Sequence, residues 1–156
     1  MIALLSRPVQ HNWVTIRFAS TLYLYPILDL LLAEIPLQLQ AELRLGLQEA
    51  LVNAAKHGNK LDPSKTIMVR FSVVQNQFWW IITDQGEGFI PPNRYTMLKV
   101  FDPENIEDVD CPEESNECGR GLYILHQIFD SVEWNRKGTE ITLCKEINPS
   151  SGLELV

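Results

Sequence analysis

A two-layer α+β sandwich is predicted for this chain: a mixed, mostly antiparallel sheet covered on one face by about three helices. Three observations carry that prediction. Short apolar segments of period two alternate with longer ones of helical period, in the order strand, helix, helix, two strands, loop, helix, two strands. Two pairs of those strands are joined by short polar turns, which close antiparallel hairpins. Finally, 156 residues of ordinary apolar content make one domain with room for a buried core, and no repeat or linker divides it. A single domain is expected over 1–147, with 148–156 as a flexible tail.

The first element is a half-buried strand from Trp13 to Ala19, where Val14, Ile16 and Phe18 alternate with Thr15 and Arg17. Ser20 or Thr21 can cap a helix running to about Glu34, although Pro26 demands a start or a kink nearby. Pro36 ends it. A second helix is expected from about Leu39 to His57, stopped by Gly58-Asn59. Thr66 to Val74 alternates with Ile67, Val69, Phe71 and Val73 on one face. The chain turns at Gln75-Asn76-Gln77 into Phe78 to Thr83, whose near-continuous apolarity predicts a central strand covered on both sides. Residues 89–118 read as a long loop. A third helix follows from Gly121 to about Asp130, with Leu122, Leu125 and Phe129 inward. Ser131–Asn135 and Thr139–Glu146 close a hairpin around Arg136-Lys137-Gly138.

Charge and cysteine content narrow the function classes. The net charge is −7, and no cluster of Lys and Arg offers a phosphate-backbone footprint, so a nucleic-acid surface is not expected. Eight acids lie between Asp102 and Glu117 with no Lys or Arg among them, which leaves the rest of the chain close to neutral. Cys111, Cys118 and Cys144 contain no C-x-x-C pair, so neither a disulfide framework nor a zinc site is indicated, and reduced thiols in a cytoplasmic protein are expected. Met1 to Arg7 lacks a basic leader, and Leu22 to Ile35 is too short and too acidic to span a bilayer.

Four short constellations carry chemistry. On the second helix, Leu43, Leu47, Ala50, Leu51 and Ala54 share the sheet-facing stripe, and Glu49, Asn53, Lys56 and His57 share the next one. A solvated face accounts for that second stripe, but a mid-helix Asn one turn beyond a Glu asks for a reason. Neutral Asn53 is a hard-oxygen ligand suited to Mg²⁺, and Glu49 lies one turn away, placed to take a proton from a hydroxyl or water. Asp84-x-Gly86-x-Gly88 follows the central strand. A tight turn explains it, and so does a backbone that must approach a flat ring while a carboxylate accepts an exocyclic amine. Gly119-Arg120-Gly121-Leu122 is either a hinge into the third helix or a set of backbone N–H groups at its positive end that can hold phosphate. Lys137-Gly138-Thr139 is a hairpin turn that can also put a hydroxyl near the ring. His57 can touch phosphate or simply finish its helix. Trp79 and Trp80 read as sheet core, and His11 and His126 receive no role.

Taken in order, Glu49-x-x-x-Asn53 on a helix, Asp84-x-Gly86-x-Gly88 after a strand, a long loop, Gly119-x-Gly121 before a helix and Gly138-Thr139 before the last strand resemble the Bergerat-fold (GHKL) ATP-binding family. Within it, Glu49-Ala-Leu-Val-Asn53-Ala-Ala-Lys-His57-Gly58 and Gly119-Arg-Gly-Leu122 look most like the bacterial anti-sigma-factor serine kinases. The resemblance covers the chain from Trp13 to Glu146. It implies ATP and Mg²⁺ as cofactors, with Asp84 on the adenine amine, Thr139 assisting through water and Gly86 and Gly88 lining the ring pocket. It further implies Asn53 on Mg²⁺, Glu49 as general base, and Gly119, Arg120 and Gly121 closing over the β- and γ-phosphates beside Lys56, His57 and Leu122.

The implied activity is a protein-serine kinase that phosphorylates a small antagonist protein and sequesters a sigma factor, with a homodimer formed at the edge of the first strand. Two other readings stay open: an ATP-binding switch of the same fold without transfer activity, and a detached histidine-kinase ATP-binding domain, for which a phosphoacceptor histidine on a dimerisation helix is missing. The acidic run from Asp102 to Glu117 falls in the implied lid, where it should repel triphosphate. It is therefore expected to point outward, as a solvated segment or a partner surface.

Overall fold

A computed structural model describes residues 10–90 and 115–147, the side chains of 115–120 excepted. Its elements are β1 (Val14–Ala19), α1 (Tyr25–Leu32), α2 (Leu37–Val52) continued by a π-helical turn (Asn53–Gly58), β2 (Thr66–Val74), β3 (Gln77–Thr83), α3 (Ser115–Ile128), β4 (Ser131–Trp134) and β5 (Glu140–Glu146). The strands form one sheet in the order β1-β2-β3-β5-β4. Every pairing among the described residues is antiparallel, so the mixed sheet becomes a uniform one. The expected tail and the acidic run to Glu114 lie outside the described residues.

The helices pack on one face, and the core is the seam between the layers. Leu43, Leu47 and Leu51 of α2 are fully buried, as are Ile67, Val69, Phe78, Trp80 and Leu143 of the sheet. Helix α3 adds Leu122 and Leu125, followed by Phe129 just beyond its end. It comes close to α2 because Gly46 carries no side chain: a Cβ there would press into the Phe129 ring at 2.6 Å.

Several expectations shift. Pro26 starts α1 within its first turn, and neither Ser20 nor Thr21 caps it. Ser20 instead donates to the carbonyl of Ala55 at 3.3 Å, tying the end of β1 to the π turn. Gln40 donates to the carbonyl of Ile35 at 2.9 Å and to that of Leu32 at 3.4 Å, tying the start of α2 to the chain leaving α1. Val73 is exposed because the β1 pairing stops at Phe71, while Phe71 stays half-buried. Strand β3 is central, but its burial alternates: Phe78, Trp80 and Ile82 are sealed under the helices and Trp79 and Ile81 are only half-covered. On that second face His11 stacks on Trp13 and meets the edge of Trp79, with the Arg70 guanidinium over Trp13. Cys144 is a free thiol buried in the sheet, and burial pushes its pKa up to about 11. No described helix is long and apolar enough to cross a membrane.

Candidate nucleotide-binding site

Three adjacent strands bring one residue each to the same level. Ile82 of β3 pairs with Ile141 of β5, and Ile141 pairs with Trp134 of β4. Together they floor a cavity of about 230 Å³ under α2. Ala50 and Ala54 face it from the helix, and Leu122 of α3 closes the inner side. The cavity exists because those two helical positions are alanine; a longer aliphatic side chain at either would continue the core into the space.

Asp84 stands two residues beyond Ile82, at the polar end of this floor. Its backbone N–H bonds the Thr139 carbonyl at 2.9 Å, and its Oδ1 accepts the N–H of Gly86 at 2.8 Å. Burial pushes the carboxyl above its ordinary value, outweighing the Gly86 bond and the charges of Lys65 and Lys137 that pull it down. The carboxylate lies directly against Gly58, and Gly86 lies against the Gly58 carbonyl, so a Cβ at either glycine would overlap its neighbour. Asn59 holds this contact together. It is fully buried, donates to the Thr66 carbonyl at 3.0 Å and accepts the Gln85 N–H at 2.8 Å. The end of α2 is thereby bonded to the turn that carries Asp84.

The cavity mouth is built by two glycines in the left-handed region. Gly88 has φ +84° and Gly138 φ +75°. Each lies where a Cβ would strike the opposing backbone, Gly88 against Lys137 and Gly138 against Phe89. The Phe89 N–H donates to the Lys137 carbonyl at 3.1 Å across the same junction.

A second, more polar cavity of about 300 Å³ lies on the other side of Asn53 and His57, which line both. Glu49, Lys56 and Gly121 line it too, together with Val52 and Ile124. Gly121 is the close-approach residue: a Cβ there would sit 2.9 Å from Glu49 Oε2 and under 4 Å from the Asn53 amide. The Asn53 Nδ2 is buried without a hydrogen-bond partner. A hard cation that keeps phosphate and water ligands fits such a set, because it needs only one or two protein oxygens, and the unpaired Nδ2 offers a donor to the same anion. Among the described residues no three His, Cys, Asp or Glu side chains converge as a metal cage.

The structure therefore brings Asn53, His57, Asp84, Gly88 and Leu122 around one cavity and Glu49, Asn53, Lys56, His57 and Gly121 around the next, with Gly86 packed behind Asp84. One sequence reading changes. Gly119-Arg120-Gly121 does not precede α3 but lies inside it, since the helix begins at Ser115. Interior N–H groups bond carbonyls four residues back, so this segment presents no helix N-terminus to a phosphate. Gly121 serves helix packing against Glu49 instead; the side chain of Arg120 lies outside the described residues. Thr139 contributes its carbonyl to Asp84, and its hydroxyl oxygen accepts from Asn135 Nδ2 at 3.1 Å, which leaves its O–H available for the expected water link.

Sequence reasoning passed over Asn59, Phe89 and Trp134. Asn59 follows a helix-ending glycine and so reads as a cap. Trp134 is the one tryptophan outside the Trp13 and Trp79-Trp80 segments, a signal that was available.

With that geometry in place, comparison with known proteins is informative. Residues 30–145 match the histidine kinase-like ATPase domain family. The chain is 29% identical over 108 residues to a protein named serine-protein kinase RsbW from Bacillus licheniformis, and 27% over 108 residues to its namesake from Bacillus subtilis (strain 168). Each match covers 69% of this chain and 64% of the relative, so the chain spans somewhat under two thirds of those proteins. A protein named anti-sigma F factor from Clostridium perfringens is 25% identical over 115 residues, covering 69% of this chain and 72% of the relative.

Proposed function

The chain belongs to the histidine kinase-like ATPase domain family, and we propose that it is an ATP- and Mg²⁺-dependent protein-serine kinase with an anti-sigma role. The observation that carries this reading is the pair of joined cavities, one apolar with Asp84 at its end and one polar around Glu49 and Asn53. A purine nucleotide has the same two-part character. The adenine ring lies on the Ile82–Ile141–Trp134 floor, and its amine donates to Asp84. Gly88 keeps the backbone close to that ring, and Gly86 seats Asp84 against Gly58. Asn53 Oδ1 would hold Mg²⁺, and Lys56 and His57 line the phosphate side with Gly121, which Gly119 and Arg120 precede within α3.

Glu49 is the general base. Its carboxylate accepts the proton of a serine hydroxyl as that oxygen bonds the γ-phosphorus and the bond to the ADP oxygen breaks. Positioning and charge neutralisation supply most of the rate in such a transfer, which suits a site with few reactive groups. The names of the Bacillus relatives support a protein serine as phosphoacceptor, and that of the Clostridium relative a sigma factor as partner; a small antagonist protein as carrier of that serine belongs to the same proposal. A homodimer through the outer edge of β1, which no other described strand pairs, belongs to the same reading, since such an edge is a ready pairing surface.

Calorimetry with Mg·ATP on the wild type, Asp84→Asn and Asn53→Ala tests the core of this proposal. Micromolar binding that both substitutions remove is the expected result. A wild type that binds no nucleotide would sink the kinase assignment.

A further inference from the structure

The chain has four tryptophans, and three are accounted for by the sheet. Trp80 is fully buried under the helices. Trp13 and Trp79 lie on the opposite face around His11. Trp134 differs from all of them. It sits on the edge strand β4, is half-buried, and lines the apolar cavity in register with Ile141 and Ile82. An aliphatic residue would complete that floor equally well. The indole adds a flat π surface.

Phe89 braces that surface. Its ring meets Trp134 at 4.8 Å between centroids and 82° between planes. A perpendicular contact of this kind occupies at most one face of the indole. Phe89 is itself fixed from below, since its N–H bonds the Lys137 carbonyl and its carbonyl backs onto Gly138. The two aromatics are therefore a built corner of the cavity, joining the loop after β3 to the β4–β5 hairpin.

We propose that Trp134, braced by Phe89, is the base-stacking wall of the nucleotide pocket and a specificity-determining residue for a flat heteroaromatic base. This rests on the nucleotide reading above and adds the group that recognises the ring as a ring. Asp84 reads one edge of the base by hydrogen bonding, whereas Trp134 reads its face, which the isoleucines alone do only as generic apolar surface. Trp134 touches the base and no phosphate, so its removal should weaken ligands that carry a base and spare those that do not.

The test is calorimetry of ADP and of inorganic tripolyphosphate on wild type, Trp134→Leu and Trp134→Phe, with tryptophan emission recorded in parallel. Stacking of a base on an aromatic side chain predicts that Trp134→Leu weakens ADP by about tenfold. Trp134→Phe should recover most of that loss, and tripolyphosphate binding should not change. ADP should alter the emission of the wild type but not of Trp134→Leu, because the other three tryptophans lie away from the cavity. Trp134→Ile, better suited to an edge strand, decides the matter should the leucine variant unfold. ADP binding that is unchanged in the variant overturns the stacking wall and leaves the nucleotide site standing. So does an equal loss of ADP and tripolyphosphate, which would mark general damage. A wild type that does not bind ADP overturns both.

Discussion

The two cavities that meet at Asn53 and His57 are built by opposite means. The apolar one is a gap in the core: its floor is sheet, its roof is helix, and it stays open only because Ala50 and Ala54 are small. The polar one is a cleft between two helices, held open because Gly121 lets α3 lie against Glu49 and Asn53 without a side chain between them. The first is secured by the packing that stabilises the whole domain. The second depends on how one glycine-bearing helix lies on another, so the base side should be rigid and the phosphate side adjustable.

The largest effect should come from breaking what both cavities share. Gly86→Ala forces a methyl into the Gly58 carbonyl, displacing Asp84 and the end of α2 together. Urea unfolding should show a loss of about 1–3 kcal/mol, the usual cost of overpacking. Calorimetry should find no nucleotide binding, and unchanged binding would show the two backbones to be more pliant than their contact implies.

Next, Ala54→Leu should fill the apolar cavity alone. A steric cost of about 3 kcal/mol would weaken adenosine by roughly a hundredfold. Tripolyphosphate, which needs only the polar cavity, should bind this variant as it binds the wild type. Asn53→Ala asks the converse question. It should remove micromolar Mg·ATP binding and leave Mg-free adenosine within about threefold, less than 1 kcal/mol. If both variants lose adenosine and tripolyphosphate alike, the cavities are one site, and the contrast between them fails.

The smallest effect concerns Asp84 and can be read without a ligand. Burial raises its carboxyl, so the folded state holds that proton more tightly than the unfolded chain does. Stability from this group is therefore full below the ordinary carboxylate range and is lost as pH rises through the raised value. Asp84→Asn removes an ionised, half-buried group at neutral pH and keeps an acceptor for the Gly86 N–H. Its melting midpoint should exceed the wild type's at neutral pH, by less than the ~2–4 °C that 1 kcal/mol is worth at this size. The gap should close near pH ~3, where the wild-type carboxyl is protonated as well. In the wild type, nucleotide affinity should fall on acidification, beginning above the range of an ordinary aspartate. A lower midpoint for Asp84→Asn at neutral pH would refute the desolvation argument.

The polar cavity was largely legible in the sequence and the apolar one was not. Glu49, Asn53, Lys56 and His57 share a stripe by simple helical spacing, and Asp84 announces itself as a carboxylate between a strand and two glycines. A cavity, by contrast, is missing volume. Ala50 and Ala54 read as core because their positions belong to the core stripe, and only the three-strand register shows what they leave open. Asn59 was hidden for a different reason. Its partners, Thr66 and Gln85, are brought to it by the pairing of β2 with β3, which local patterning cannot see. The start of α3 was placed late because glycines normally end helices, whereas here one of them is spent on helix-to-helix contact.

The π turn from Asn53 to Gly58 has a consequence for how this chain tolerates editing. Its wider spacing is shown by the Asn59 N–H, which reaches back five residues to the Ala54 carbonyl. Such a turn is equivalent to one residue inserted into an α-helix. Deleting a single residue within it would restore ordinary α-helical bonding and leave the chain beyond it facing nearly the same way. Inserting a residue into the regular helix before it would instead advance everything downstream by about 100°. Gly58 would then leave Asp84, and Asn59 would leave Thr66 and Gln85, so the site should tolerate a shorter turn better than a longer helix.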